Sequence, residues 1–155
     1  MSTGQDTQQG IIGLANEVGE RWKGARLFIK SEELEFSTNA TGTTAMVVNP
    51  RLGFVNSQIS SFIREIPIGW KSGVHIHNME AIIMFIQGTG YTMVEGVKYE
   101  WKKGDVITIP PMAKHQHFNT GSEEAARFFA VTTVPLMVNI GSFVAEQLEN
   151  ASEIN

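Results

Sequence analysis

The chain has no cysteine among its 155 residues. That excludes disulfide staples, thiolate metal ligands and a cysteine nucleophile. Positive charge is sparse: 12 Lys and Arg stand against 16 Asp and Glu, for a net charge of −4. The basic residues are scattered, so the charge pattern of a nucleic-acid-binding surface is missing. Long apolar runs are missing too. The longest, Ala81–Ile86, is far too short to span a bilayer. Met1–Gly10 is polar and lacks the charged-then-apolar build of a secretion signal. These absences lead to the expectation of a soluble, cytoplasmic chain that acts on a small molecule, with neither nucleic acid nor membrane as partner. Its length suits one domain with one core.

Histidine is also scarce, but its placement is not random. All four fall in two pairs, His75-Ile-His77 and His115-Gln-His117. Period-two spacing puts both rings of a pair on one face of a β-strand. Two such strands facing each other inside a small barrel bring the imidazoles together, a route to a transition-metal site without cysteine. On a solvated face, each pair is merely polar.

The surrounding pattern is β. Residues 1–10 are expected as a disordered polar tail. Apolar residues at Ile11, Ile12, Leu14, Ala15, Val18 and Trp22 have the spacing of a short amphipathic helix. Ser31–Gly42 is loop-like with room for an edge segment. Strands are expected at Thr44–Val48, Gln58–Ile66, Val74–His77, Ala81–Gln87, Tyr91–Val94, Val97–Trp101, Val106–Ile109, His115–Phe118 and Ala126–Val134. Turn signals recur about every 8–12 residues, as in sandwiches and barrels. Leu136, Ile140, Phe143, Val144 and Leu148 follow helical spacing and predict a C-terminal helix over Leu136–Leu148, packed on the barrel or on a second subunit. No internal repeat is present, so residues 11–150 are expected to form a single all-β domain with short terminal helices.

Two stretches resemble a known family. Gly69-x5-His75-x-His77-x3-Ala81-x6-Gly88 is similar to the first cupin motif, and Gly104-x5-Pro110-x-Met112-x2-His115-x3-Asn119 to the second. The resemblance covers about residues 55–134. It implies the cupin jelly-roll barrel, an antiparallel double sheet, and homodimer formation through uncovered strand edges. It also implies a metal site, but with a departure. Cupins usually supply three histidines and a glutamate, and the glutamate position here holds Ala81. Glu80 sits one residue early, and a one-residue shift turns a strand side chain to the other face. The ligand set implied is therefore His75, His77 and His115. An alanine in that slot is similar to the gentisate and 1-hydroxy-2-naphthoate dioxygenase branch, which holds iron(II) on three histidines. Met112 stands where a glycine is usual.

Three neutral imidazoles leave the charge of a divalent ion uncompensated, which suits an anionic bidentate substrate. His117 is a candidate catalytic base, a fourth ligand, or a group that orients its neighbours. Ile83, Phe85, Gln87 and Phe118 are candidate substrate-lining residues, with Trp70 nearby. Arg64 is either a carboxylate clamp facing inward or a solvated cation facing outward; Arg127, Arg51 and Arg26 are weaker candidates. The leading functional expectation is a non-haem iron(II) dioxygenase acting on a small aromatic or dicarbonyl anion. The alternatives are a non-oxidative enzyme (decarboxylase, isomerase or cyclase) using manganese, nickel or zinc as Lewis acid, or a binding module without turnover.

Overall fold

The structure is a computed structural model that describes residues 4–154. A helix, α1 (Gly4–Glu20), precedes thirteen strands: β1 (Phe36–Asn39), β2 (Gly42–Val48), β3 (Ser60–Ile66), β4 (Trp70–Lys71), β5 (His75–His77), β6 (Ala81–Gln87), β7 (Thr89–Val94), β8 (Val97–Lys102), β9 (Val106–Ile109), β10 (His115–Asn119), β11 (Ala126–Thr132), β12 (Ala145–Gln147) and β13 (Ser152–Glu153). A short helix, α2 (Val134–Asn139), separates β11 from β12. All pairings are antiparallel. One sheet runs β1-β2-β3-β11-β6-β9. In the second, β10 carries β7 and then β8 on one side and β5 and β4 on the other, with β12 and β13 completing that side. This is the double-sheet jelly roll expected from the sequence.

The strands form where the apolar residues alternate. β6 buries Ala81, Ile83 and Phe85 while Ile82 and Met84 face out. β11 buries Ala126, Phe128, Ala130 and Thr132. The inward side chains of both sheets meet in one core, where Phe85 stacks on Trp101 at 3.9 Å between ring centroids and meets Phe128 edge-on. Fully burying an aromatic side chain of this size contributes roughly 1.5–3 kcal/mol, so this cluster anchors one end of the barrel. The histidine strands lie beside it.

Both termini differ from expectation. The first helix begins at Gly4, inside the segment expected as a polar tail, because nothing there breaks a helix as proline would. At the other end the predicted helix over Leu136–Leu148 is cut to six residues. Gly141, at φ 70°, ends it: its N–H reaches Val138 O and the Ser142 N–H reaches Met137 O, a left-handed C-terminal cap. The chain then returns as β12 along the histidine strand, pairing Ala145 with His77 and Gln147 with His75. Gly73 makes that return possible, since a Cβ there would lie 2.2 Å from Gln147 Nε2 and 2.5 Å from Glu149 O.

Candidate metal centre

β5 and β10 are hydrogen-bonded neighbours, with His115 directly opposite His75. Period two then brings His77 to the same face. The ring centroids of His75 and His115 are 4.2 Å apart, and those of His77 and His115 are 4.7 Å apart. One nitrogen from each of the three lies within 4.8 Å of the others, close enough to share one ion. The cluster contains no carboxylate. Ala81 occupies a buried position on β6, and Glu80 is exposed, its backbone tied to Thr133.

The backbone sets the tautomer of each ring. Nδ1 of His75 lies 3.1 Å from Gly73 O, Nδ1 of His77 lies 2.9 Å from Met79 O, and Nδ1 of His115 lies 2.8 Å from Ala113 O. A carbonyl only accepts, so each Nδ1 carries the proton and donates it. Each Nε2 is left with a free lone pair. Burial, opposed in part by these hydrogen bonds, pushes His75 down to about 4 and His115 down to about 3, and lowers His77 as well. All three rings are therefore neutral near pH 7 and able to donate. A donor set of three neutral imidazole nitrogens suits a divalent first-row metal.

His117 is built the other way. It is 2% exposed, and its Nδ1 lies 2.9 Å from Thr92 Oγ1. Trp101 Nε1, which can only donate, gives its proton to that same oxygen at 3.0 Å. The Thr92 hydroxyl proton has no other acceptor among the described residues, so pairing it directs it to His117 Nδ1, leaving the imidazole proton on Nε2. Burial holds His117 well below its ordinary pKa. Its ring lies 5.7 Å from that of His115 and 4.8 Å from that of Phe128. It belongs to the same interior, but with a proton where the other three offer a lone pair.

Arg64 faces inward. It shares the parity of Phe62 and Ile66 on β3, is 8% exposed, and donates from Nη1 to Thr41 O. No carboxylate pairs with it among the described residues. Burial lowers it to about 10, so it remains a cation at neutral pH. The other arginines are committed or exposed: Arg127 pairs with Glu65 at 2.6 Å, Arg26 with Glu33 at 2.7 Å, and Arg51 is exposed.

The remaining predicted residues divide. Ile83 and Phe85 are in the core on the inward face of β6. Gln87 is held at the far end of that strand, its Nε2 donating to Ala125 O at 2.8 Å, and does not reach the histidines. Phe118 is not brought to the cluster either. One residue from His117, it takes the opposite face and stacks on Tyr91 at 4.3 Å, with Lys71 over its ring. Asn119 closes the second motif structurally, donating to the carbonyls of Ile66, Pro67 and Glu124. Sequence reasoning missed Thr92 and Trp101. Their inward parity on β7 and β8 was the only available signal.

Comparison with known proteins agrees with this geometry. Residues 62–132 match the cupin domain family. A 5-aminosalicylate 1,2-dioxygenase of Comamonas sp. is 36% identical over 69 residues, covering 44% of this chain and 18% of that protein. A gentisate 1,2-dioxygenase of Ralstonia sp. is 30% identical over 117 residues, covering 72% of this chain and 32% of that protein. The chain thus spans a third or less of the length of either relative. A crystal structure of salicylate 1,2-dioxygenase from Pseudoaminobacter salicylatoxidans with gentisate superposes with a TM-score of 0.64 at 14% identity, covering 85% of this chain and 35% of that one. With its matched motifs, two-sheet barrel and three-histidine cluster, the chain carries a cupin domain over residues 62–132.

Proposed function

We propose that this cupin is a metal-dependent enzyme, a non-haem iron(II) dioxygenase acting on a small aromatic or dicarbonyl (enolic) anion. One observation carries the reading: three neutral imidazoles with free Nε2 lone pairs share an interior with a buried arginine and no carboxylate. His75, His77 and His115 would hold the ion. Iron(II) held there supplies a Lewis-acidic, redox-active centre at which an anionic substrate and dioxygen can both be activated. Manganese, nickel or zinc on the same residues would serve a non-oxidative reaction.

The chain's own groups complete the site. A divalent ion and a guanidinium together place excess positive charge in a low-dielectric pocket, which favours a substrate carrying a carboxylate beside a phenolate or enolate oxygen. Arg64 binds and orients the carboxylate. Ile83 and Phe85 exclude water from the inner wall. His117 presents its Nε2 proton to the interior, where it can donate to an oxygen of the bound substrate. Similarity to dioxygenases of aminosalicylate, gentisate and salicylate supports the same substrate class. The enzyme is proposed to work in the cytoplasm as a homodimer; a monomer mass by light scattering would remove the dimer.

The test is anaerobic loading with iron(II), followed by oxygen uptake on salicylate, gentisate, catechol and a β-diketone. Uptake matched by loss of one of these supports the dioxygenase. Metal-dependent consumption of a keto acid without oxygen uptake assigns the non-oxidative reaction instead.

A further inference from the structure

We infer that the first helix, α1, docks into an apolar groove on a second copy of this chain, and that reciprocal exchange of the two helices forms a dimer. The 17-residue helix is poorly equipped to stand alone. Gly10, Gly13 and Gly19 weaken it, and isolated helices of this length are marginal in water even when built from good helix formers. Its own barrel does not cover it. Ile11 and Leu14 share a face by their three-residue spacing, Ile12 lies beside them, and each of the three is more than half exposed. The charge on the helix has one sign: Asp6, Glu17 and Glu20, with no Lys or Arg. Glu17 and Glu20 fall in its last turn, where the helix dipole disfavours carboxylates. Glu20 is paired with Lys23, and Glu17 has no ion-pair partner among the described residues.

The receiving surface lies between α2 and residues 49–57. It is a groove of about 870 Å³ whose walls include Leu52, Val55, Val138 and Phe143, each 37–54% exposed. Arg21 and Arg51 line it as well, both exposed, and no carboxylate does. In a chain of net charge −4 this is a local excess of positive charge. An acidic helix with an apolar face therefore meets an apolar groove with a basic rim. Small-molecule sites bury roughly 70–90% of their ligand; walls that are themselves half exposed suit the face of a helix instead. The chain's connectivity supplies the partner. Arg21 directly follows α1, so the helix leaves the body at the rim of its own groove. Two copies related by a two-fold axis can each lay a helix in the other's groove, and that arrangement closes on itself. A half-exposed apolar side chain of this size offers on the order of 100 Å². Reciprocal exchange then covers roughly 1,000 Å² or more in total, the size that a specific interface needs.

The inference rests on the homodimer of the proposed function and not on its chemistry, so its test reads mass and cross-linking rather than turnover. Sedimentation equilibrium of the wild-type chain should give twice the 17.1 kDa of one copy. Leu14→Asp puts a charge on the helix face and should weaken the dimer about thirtyfold or more, as the loss of a central interface contact does. Arg51→Glu should weaken it about tenfold at low salt and less at high salt. Cross-linking gives a second readout that does not depend on either variant. The chain has no cysteine, so an introduced pair is unambiguous. Leu14→Cys protein mixed with Val138→Cys protein and oxidised should yield the disulfide that joins those two positions, identified by peptide mass. Leu14→Cys mixed with Val106→Cys, on the exposed outer face of β9, should yield far less. A wild-type monomer at high micromolar concentration overturns the inference together with the proposed homodimer. A dimer that neither Leu14→Asp nor Arg51→Glu weakens overturns the inference alone, and so does cross-linking to Val106→Cys in preference to Val138→Cys. If the dimer responds as expected and no substrate supports oxygen uptake, the helix exchange stands and the dioxygenase reading falls.

Discussion

The Thr92 hydroxyl lies 2.9 Å from His117 Nδ1 and receives the Trp101 indole N–H at 3.0 Å. This relay separates His117 from its three neighbours. Each of those donates Nδ1–H to a backbone carbonyl and presents a bare Nε2; His117 accepts at Nδ1 and keeps its proton on Nε2. A protonated nitrogen cannot ligate a metal, which supports the proposal of a three-histidine site with the fourth histidine as a donor. Replacing His115 by Ala should abolish stoichiometric metal in protein loaded and then desalted. Replacing His117 by Ala should leave the metal in place and remove turnover. Equal metal loss in both variants would make His117 a ligand.

Thr92→Val tests the relay itself. The substitution keeps the volume but strands two buried groups, the Trp101 N–H and the His117 Nδ1 lone pair. Leaving a buried group unsatisfied costs about 1–3 kcal/mol, so two cost roughly 2–6 kcal/mol together. Denaturant unfolding of the metal-free variant should show a loss of that size. Metal content should be unchanged, because no ligand nitrogen depends on Thr92.

Much of this site could be read from the sequence because strands impose period two. The parity of Ala81 with Ile83 and Phe85 placed all three inward, and the same rule joined His75 to His77 and His115 to His117. The readings that went astray broke that rule or lay outside it. Phe118 adjoins His117 and so faces the opposite way. The apolar spacing of Leu136–Leu148 mimicked a helix, but Gly141 adopts a left-handed turn that ends it. β12 itself is wholly exposed and has no alternation to read.

Met112 stands at a position where cupins usually have glycine, and it adopts φ 64°. A side chain in the left-handed region costs roughly 1–2 kcal/mol. The conformation is held because the Met112 N–H donates to His77 O at 2.7 Å, while the next residue, Ala113, provides the carbonyl for His115. Met112→Gly relieves the strain and keeps the hydrogen bond, offset in part by the greater freedom of glycine in the unfolded chain. The variant should be more stable than wild type by up to about 1 kcal/mol. A loss of stability on denaturant unfolding would show that the Met112 side chain packs favourably enough to outweigh its backbone strain.

Acid should destabilise the metal-free protein from a predictable starting point. Burial holds His75 at about 4 and His115 at about 3 in the fold, against about 6.5 when unfolded. Above pH 6.5 the rings are neutral in both states and the difference has no effect. As the pH falls through 6.5, the unfolded chain gains protons that the folded chain refuses, and stability declines. The decline continues until the folded pKa of each ring is reached, near 4 for His75 and near 3 for His115. His75 alone accounts for about 3 kcal/mol across that window, at the conversion of 1.36 kcal/mol per pKa unit. Denaturant unfolding at pH 7.5, 6 and 5 should therefore show a progressive loss. Replacing both His75 and His115 by Ala should reduce the loss, whatever it does to stability at neutral pH, leaving the part that His77 and His117 contribute. Equal stability of the wild-type apoprotein at pH 7.5 and 5 would mean that these rings are not held neutral by burial, and the free lone pairs on which the metal site depends would lose their physical basis.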